Sequence, residues 1–454
     1  MFIDHDRIES LIDQTPDRKT VGEILAKSKA LKRLSMEEAA VLLSVEDNEL
    51  LDEILHTAKE VKESIYGKRL VIFAPLYISN LCQNECLYCA FRVSNKDVAR
   101  KALSQDEILK ETEYLLKTGQ KRVLLVSGEA YPKEGLDYII RSIETVYSAR
   151  DGKNNIRRLN VNLAPLEVSE FKRLKDADIG TYQIFQETYH LPTYKKLHLR
   201  GPKADYEYRL TAIDRAFKAG INDVGIGILF GLYDYKFEVL ALLAHVEHLE
   251  ANFGMGPHTI SVPRLEPATG SDIAANPPYP VSDKAFKKLI AVLRLAVPYT
   301  GLILSTRENA ETRRAAFDLG ISQISAGSRT NPGGYTEKES VEQFSLGDHR
   351  LLDEVIYDIC EHGYIPSFCT SCYRLGRTGL DFMEYAKPGE IKKKCLPNAL
   401  FTFNEYLEDY ASPKTKEIGE KLIAREFEAL PPDIKEQARI LLDRVKKGDR
   451  DLFV

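Results

Sequence analysis

Three cysteines within eight residues, Cys82, Cys86 and Cys89, stand in the spacing C-x3-C-x2-C. They follow an apolar, β-branched run, 70–78, that reads as a buried strand. Three thiolates on one loop at a strand's carboxyl end can hold three corners of a cubic iron–sulfur cluster. The fourth iron is then left without a protein ligand, and an open metal position is where chemistry occurs. A zinc knuckle or a redox-sensitive cysteine group is the plainer alternative, although structural zinc takes four ligands and usually paired C-x2-C units. A second trio, Cys369, Cys372 and Cys395, has the spacing C-x2-C-x22-C. Three ligands again point to a cluster with one incompletely held iron; zinc with a fourth ligand from elsewhere is the alternative here. Pro366, Gly376, Gly379 and Gly389 punctuate this stretch, which reads as loop around a ligand. Cys360 falls in a helical apolar pattern and reads as a buried bystander.

The elements that must position these thiols are legible in the pattern. Residues 1–66 read as helices, with apolar residues at helical spacing through 23–32, 36–43 and 50–65, and Ser35 with Glu38 as a capping box. From residue 67, strand-like runs alternate with amphipathic ones. The candidate strands are 70–78, 122–127, 158–163, 181–186, 223–229, 259–262, 302–305 and 323–326, separated by helical stretches such as 106–117, 206–219, 237–252 and 283–296. Eight such repeats predict an α/β fold, a (β/α)8 TIM-type barrel over 67–335. A six-strand partial barrel is the runner-up, because the last two strands are short. Gly220, Gly301 and Gly320 sit at helix-to-strand junctions, where C-caps favour glycine. Residues 336–454 form a mostly helical carboxyl-terminal domain with the second trio.

Composition is that of a soluble globular protein: 454 residues, 44% hydrophobic and 29% charged, with net charge −5. The slight acidity argues against a nucleic-acid groove. No apolar run approaches the length of a membrane span, and the charged amino terminus has no signal core. Few, clustered cysteines in an odd number fit metal ligation in a reducing cytoplasm better than a disulfide framework.

The first trio resembles the signature of the radical S-adenosylmethionine (SAM) superfamily, in which an aromatic residue, here Tyr88, precedes the last cysteine. The resemblance implies a 4Fe–4S cluster whose open iron is chelated by SAM, and reductive cleavage to a 5′-deoxyadenosyl radical. In such a barrel the residues just past each strand form the active mouth. Gly128 and Glu129 after the second strand resemble the superfamily's glycine–glutamate element, which meets the SAM amino group; a plain turn explains them equally well. Asn162 ends the third strand. Glu187 ends the fourth and could accept hydrogen bonds from ribose hydroxyls or the SAM amino group. Gly225, Gly227 and Gly231 mark either a close approach by adenine or a crowded barrel interior. Arg264 is the candidate clamp on the SAM carboxylate. Arg307 resembles the substrate-carboxylate arginine of radical SAM aromatic amino-acid lyases; an ordinary salt bridge is the alternative for both. Ser305, Ser325 and Ser328 are polar contacts near the substrate, or turn residues.

The two trios together resemble the HydG family of radical SAM tyrosine lyases, which mature FeFe-hydrogenase. The likeness runs over nearly the whole chain, through 71–77, 185–190, 256–265 and 395–399. It implies cleavage of the Cα–Cβ bond of L-tyrosine to p-cresol and dehydroglycine. An auxiliary 4Fe–4S cluster then converts dehydroglycine to carbon monoxide and cyanide bound to iron. It also implies that His258, in Gly256-Pro257-His258-Thr259-Ile260-Ser261, holds an extra, dangling iron linked to that cluster by free cysteine. His258 opens the sixth strand, so it should lie at the barrel's amino-terminal end, away from SAM; a strand-end histidine bonded to backbone is the alternative. His190, His198, His245, His248, His349 and His362 show no ligand spacing. The expected partners are tyrosine and SAM, an electron donor and other hydrogenase maturation proteins, with no nucleic acid and no membrane. Segments 129–132 and 329–332 depart from the family pattern where substrate docks, which leaves a paralogue with another amino-acid substrate open. A ThiH-like tyrosine lyase of thiamine synthesis has no need of the second trio, and a non-catalytic iron–sulfur scaffold has no need of the mouth residues.

Overall fold

The barrel closes on β1 (Arg69–Ser79), a strand buried along its whole length, in a computed structural model that describes residues 2–337 and 341–454. Met1 and 338–340, at the edges of the expected amino- and carboxyl-terminal segments, lie outside the described residues. The strands β2 (Arg122–Ser127), β3 (Arg158–Asn162), β4 (Tyr182–Glu187), β5 (Val224–Ile228), β6 (Thr259–Ser261), β7 (Gly301–Leu304) and β8 (Ile321–Ser325) follow in parallel, each beside the last. β1 pairs with β2 on one side and β8 on the other, so the cylinder is complete with eight strands and is not the six-strand variant. Side chains alternate along a strand. Val71, Phe73, Pro75 and Tyr77 of β1 therefore line the interior from floor to mouth.

Helices cover the outside, as parallel strands require. The stretch expected as one helix over 206–219 is two, Tyr206–Leu210 and Ala212–Lys218. The break falls at Thr211, whose hydroxyl bonds back to the Glu207 carbonyl at 2.8 Å. Gly220 and Gly320 have positive φ (84° and 138°) at helix ends, but Gly301 does not: it is the first residue of β7. A Cβ there would lie 2.9 Å from Gln323 Nε2. Its role is close approach inside the barrel, not capping.

Four helices precede the barrel: α1 (His5–Leu11), α2 (Arg18–Lys29), α3 (Met36–Leu43) and α4 (Asn48–Tyr66). The capping box on α3 is present, with Glu38 N donating to Ser35 Oγ and Ser35 N to Glu38 Oε2. α4 lays its apolar stripe against helices Asp283–Ala296 and Ala310–Leu319. Its buried Lys62 donates to the Phe317 carbonyl at 2.9 Å and sits over the Tyr364 ring, fixing the helix to the barrel wall.

After the barrel, helices Leu352–Glu361 and Lys392–Asp409 pack on a ninth strand, β9 (Ile365–Ser367), and Pro413–Glu428 and Pro432–Lys446 pack on those helices. β9 runs parallel to the first residues of β1, with Arg69 opposite Ile365 and Val71 opposite Ser367. β2 joins β1 only from Ala74 onward, so β9 takes the place β2 leaves empty at the amino-terminal end. It delivers Cys369 two residues later, beside the floor of the barrel.

Candidate active site and metal centre

The mouth holds a cavity of about 200 Å³. Cys82, Cys86, Tyr88 and Cys89 line it from the loop after β1, with Gly128, Glu129, Asn162, Glu187, Ser305, Arg307, Ser325 and Ser328 from the ends of later strands. The cysteine loop is pinned by backbone bonds, Glu85 N to Arg200 O and Leu87 N to Leu197 O, each 3.0 Å. Burial raises all three thiols above their ordinary values. Free thiols, Cys86 buried and Cys82 and Cys89 half-buried, that share one cavity are suited to a metal, whose charge displaces their protons. Tyr88 is anchored from behind: its hydroxyl lies 2.9 Å from His198 Nε2, while His198 Nδ1 lies 2.8 Å from the Tyr194 carbonyl. A carbonyl only accepts, so Nδ1 carries the proton and Nε2 accepts from Tyr88.

Gly128 is needed for a reason the sequence did not give. A Cβ there would stand 2.2 Å from the Leu81 carbonyl oxygen, so the glycine lets β2 tuck beneath the cysteine loop. Glu129 accepts from Asn84 Nδ2 and Arg209 NH1, both at 2.8 Å. Burial alone would raise its carboxyl, but Arg209 and Lys203 outweigh that and hold it below the usual range. Lys203 also donates to Glu187 at 2.6 Å. Glu187 sits at a bulge in β4 with φ +70°, a strained backbone that turns its carboxylate toward this network. Lys203 and Arg209 were not singled out in the sequence. They come from the excursion after β4, beyond the strand-end positions.

Behind that turn, the buried Glu238 of helix Tyr235–Phe253 accepts from the Thr188 hydroxyl and from Tyr189 N, the latter at 2.8 Å. Burial pushes its carboxyl up to about 8.

Arg307 differs from every other buried cation at the mouth. Its guanidinium makes no hydrogen bond or ion pair among the described residues and lies 3.2 Å from the ring centroid of Phe344. Burial pulls it below its ordinary value. Ser325 Oγ accepts from Thr306 N at 3.1 Å, and Ser328 Oγ is buried without a partner. Gln343, from the segment after β8, bridges the Tyr77 hydroxyl and the Cys89 sulfur.

Two expected mouth residues are elsewhere. Arg264 faces outward from the cavity, bonded to Glu308, to Asp283 at 2.8 Å and to the Val281 carbonyl at 3.0 Å. It is the salt bridge that was the alternative. Gly227 does not line the cavity, because the Phe185 ring already lies 2.7 Å from where its Cβ would be. Gly225 is likewise crowded by Thr259 and Gln183, so these glycines answer to a packed interior.

At the opposite end, a second cavity of about 50 Å³ is lined by Cys369, Cys372 and Cys395 together with His258. Tyr66 and Arg69 from the start of the barrel, and Arg122 and Gly301 from the first residues of β2 and β7, complete it. Among the described residues no three His, Cys, Asp or Glu side chains converge on a single-ion position. The thiols border a shared space instead. Cys372 donating to Cys395, with the guanidinia of Arg69 and Arg377 nearby, holds the Cys395 thiol below its ordinary value. Arg122 fixes the loop by donating to the Cys369 carbonyl at 2.9 Å. The His258 ring packs tilted against Phe382 with centroids 4.2 Å apart, and burial lowers its basicity, keeping the imidazole in its ligand form. Unpartnered buried atoms collect here: Arg69 Nε, Arg122 Nε, His258 Nδ1 and Thr370 Oγ1. Such a donor set fits a cluster with an additional metal. Cys360 is buried in its helix and borders neither cavity.

No helix among the described residues is long and apolar enough to cross a membrane. The chain matches the Radical SAM superfamily over residues 76–245 and the Biotin and Thiamin Synthesis associated domain over 261–365. It is 33% identical to the 2-iminoacetate synthase of Salmonella typhimurium over 335 residues, 73% of this chain and 86% of that one. A crystal structure of HydG, a maturase of the FeFe-hydrogenase, superposes with TM-score 0.97 at 51% identity, with both chains fully covered. The FeFe-hydrogenase maturase HydG of Carboxydothermus hydrogenoformans gives TM-score 0.85 at 41% identity, over 96% of this chain and 97% of that one.

Proposed function

The chain belongs to the HydG family of radical SAM enzymes, and from that premise we propose that it is a tyrosine lyase that feeds hydrogenase assembly. It cleaves the Cα–Cβ bond of L-tyrosine to p-cresol and dehydroglycine. Dehydroglycine yields carbon monoxide and cyanide on iron for the H-cluster of FeFe-hydrogenase. The observation that carries this reading is the pair of thiol trios at opposite ends of one barrel, with the Arg307 guanidinium at the mouth making no hydrogen bond or ion pair among the described residues.

The enzyme uses 4Fe–4S clusters and SAM; when bound at the mouth, they supply an alkyl radical by one-electron cleavage of SAM. Cys82, Cys86 and Cys89 hold the first cluster. Glu129 and Glu187 receive the amino group and ribose hydroxyls of SAM, and Lys203 and Arg209 its carboxylate, beside Tyr88, Gly128 and Asn162. Arg307 clamps the tyrosine carboxylate with two parallel N–H···O bonds, and Ser305, Ser325 and Ser328 complete its polar shell. Phe73, Phe91 and Phe185 keep water from the reacting atoms. Cys369, Cys372 and Cys395 would hold the auxiliary cluster, and His258, with free cysteine, an additional iron. Residues 67–335 thus carry the lyase chamber, 336–454 the auxiliary thiols, and 1–66 brace the barrel. An electron donor and other hydrogenase maturation proteins act with it.

The test is Cys369→Ser or Cys372→Ser in anaerobically reconstituted protein. Formation of p-cresol should largely survive while carbon monoxide and cyanide fall. Equal loss of all products would remove the two-site division of labour. The likeness to a 2-iminoacetate synthase favours a second reading, a ThiH-like lyase that stops at dehydroglycine, which is 2-iminoacetate. Absence of carbon monoxide and cyanide from the unaltered protein, with p-cresol present, would select it.

A further inference from the structure

Asp223, the residue before β5, is 2% exposed, and neither carboxylate oxygen has a hydrogen-bond partner. Its Oδ2 lies 3.6 Å from Nδ1 of His258, a nitrogen that is itself buried and unpartnered. We propose that Asp223 is a positioning residue for His258: it accepts the Nδ1–H, fixing the tautomer and the plane of the ring so that Nε2 faces the additional iron. This rests on the role of His258 given above.

The chemistry is that of two adjacent deficits. A buried carboxylate without a donor costs more than almost any other unsatisfied group. A neutral imidazole has a single N–H, and whichever nitrogen gives it up becomes the ligand. Pairing Asp223 with Nδ1–H removes both deficits and leaves the Nε2 lone pair for metal, the usual arrangement around a ligating histidine. The separation is slightly too long for a hydrogen bond, and a small turn of either side chain closes it.

Both residues stand on fixed backbone. The Asp223 carbonyl accepts from Tyr182 N at 3.1 Å, and His258 N donates to the Val224 carbonyl at 2.9 Å. Gly225 and Thr259 then pair directly, so the dyad is set by the register of β5 and β6. Phe382 limits the ring from another side, and the Thr378 hydroxyl donates to Asn222 Oδ1 at 3.1 Å, joining the loop before β5 to the helix that bears Phe382. Among the described residues His258 is the only ion-pair partner of Asp223, so the carboxylate is not a counter-ion to the neighbouring arginines.

The test is a titration of ferrous iron, with free cysteine, into protein already carrying both 4Fe–4S clusters. Iron affinity and the nitrogen hyperfine coupling of the reduced auxiliary cluster are read in Asp223→Ala, Asp223→Asn and His258→Ala. Asp223→Ala should weaken iron binding roughly 10- to 100-fold and disturb the nitrogen coupling, with Asp223→Asn between it and the unaltered protein. SAM cleavage should be unchanged in the two Asp223 variants. If His258→Ala loses the iron while Asp223→Ala binds it within about twofold, this inference fails alone. If His258→Ala keeps the iron, the role of His258 itself fails. Loss of the auxiliary cluster in both Asp223 variants would also overturn the inference, since the carboxylate would then be holding the fold and not aiming the ring.

Discussion

At the mouth of the barrel nearly every charge is paired before a ligand arrives; at the floor the polar groups wait for one. Glu129 and Glu187 are already held by Lys203 and Arg209, whereas among the described residues the side chains of Arg307 and Glu266, which line the same cavity, make no hydrogen bond or ion pair. At the floor, His258 Nδ1, both oxygens of Asp223, Arg69 Nε and Arg122 Nε are all buried and unsatisfied. Each such group costs about 1–3 kcal/mol. The difference teaches that the mouth is preorganised by the protein, while the floor, on the function proposed above, would be completed by the cluster held there. Binding energy at the mouth is then available for orienting reactants, whereas metal binding at the floor would stabilise the fold itself.

The most severe way to break the symmetry of the two thiol trios is Cys86→Ser. SAM cleavage and p-cresol should both fall to background, while the electron paramagnetic resonance signal of the auxiliary cluster persists. Disappearance of both cluster signals would mean that the ends do not load independently. Next in size is Arg307→Ala, which removes the mouth's one open cation. A charge-assisted hydrogen bond is worth about 1.5–3 kcal/mol, so kcat/KM for tyrosine should drop roughly 10- to 100-fold. SAM affinity should be nearly untouched, and Arg307→Lys should recover only part, since it lacks the planar fork. A parallel loss of SAM binding would move Arg307 to the cofactor side.

The barrel was legible because parallel strands buried on both faces write themselves as continuous β-branched runs, and all eight were found within a few residues. β9 was not, because three residues with Pro366 in the middle read as a turn. The cysteines and His258 were legible from spacing and resemblance, and the structure gathers them where strand polarity said they would be. What sequence could not show was the direction in which a strand-end side chain turns. Arg264 and Arg307 occupy equivalent positions after β6 and β7, yet Arg264 swings out to Glu308 and Arg307 stays in. Partners contributed from long excursions were also invisible: Lys203 and Arg209 after β4, Phe344 after β8. Asp223, the first residue of the expected strand 223–229, carried no ligand spacing, and only the pairing register places it beside His258.

The smallest expected effect on turnover sharpens the comparison from the mouth's side, where the buried Glu238 has no ion-pair partner among the described residues. Its carboxyl is raised from 4.5 to about 8, chiefly by burial, while the Thr188 hydroxyl and Tyr189 N pull the other way. An acid with a raised value in the folded state binds its proton more tightly there than in the unfolded chain. Its contribution to stability is therefore full below 4.5 and is lost as pH rises toward about 8. The gap between those values sets an upper limit of roughly a few kcal/mol. Glu238→Gln keeps the shape and removes the titration, so its Tm should fall less than that of the unaltered protein between pH 4.5 and 8. Because Gln offers one acceptor where Glu offers two, the turn that carries Glu187 should loosen slightly, and SAM cleavage should slow by about two- to fivefold. Tm curves that run parallel across this window would show that the proton on Glu238 does not differ between folded and unfolded chains.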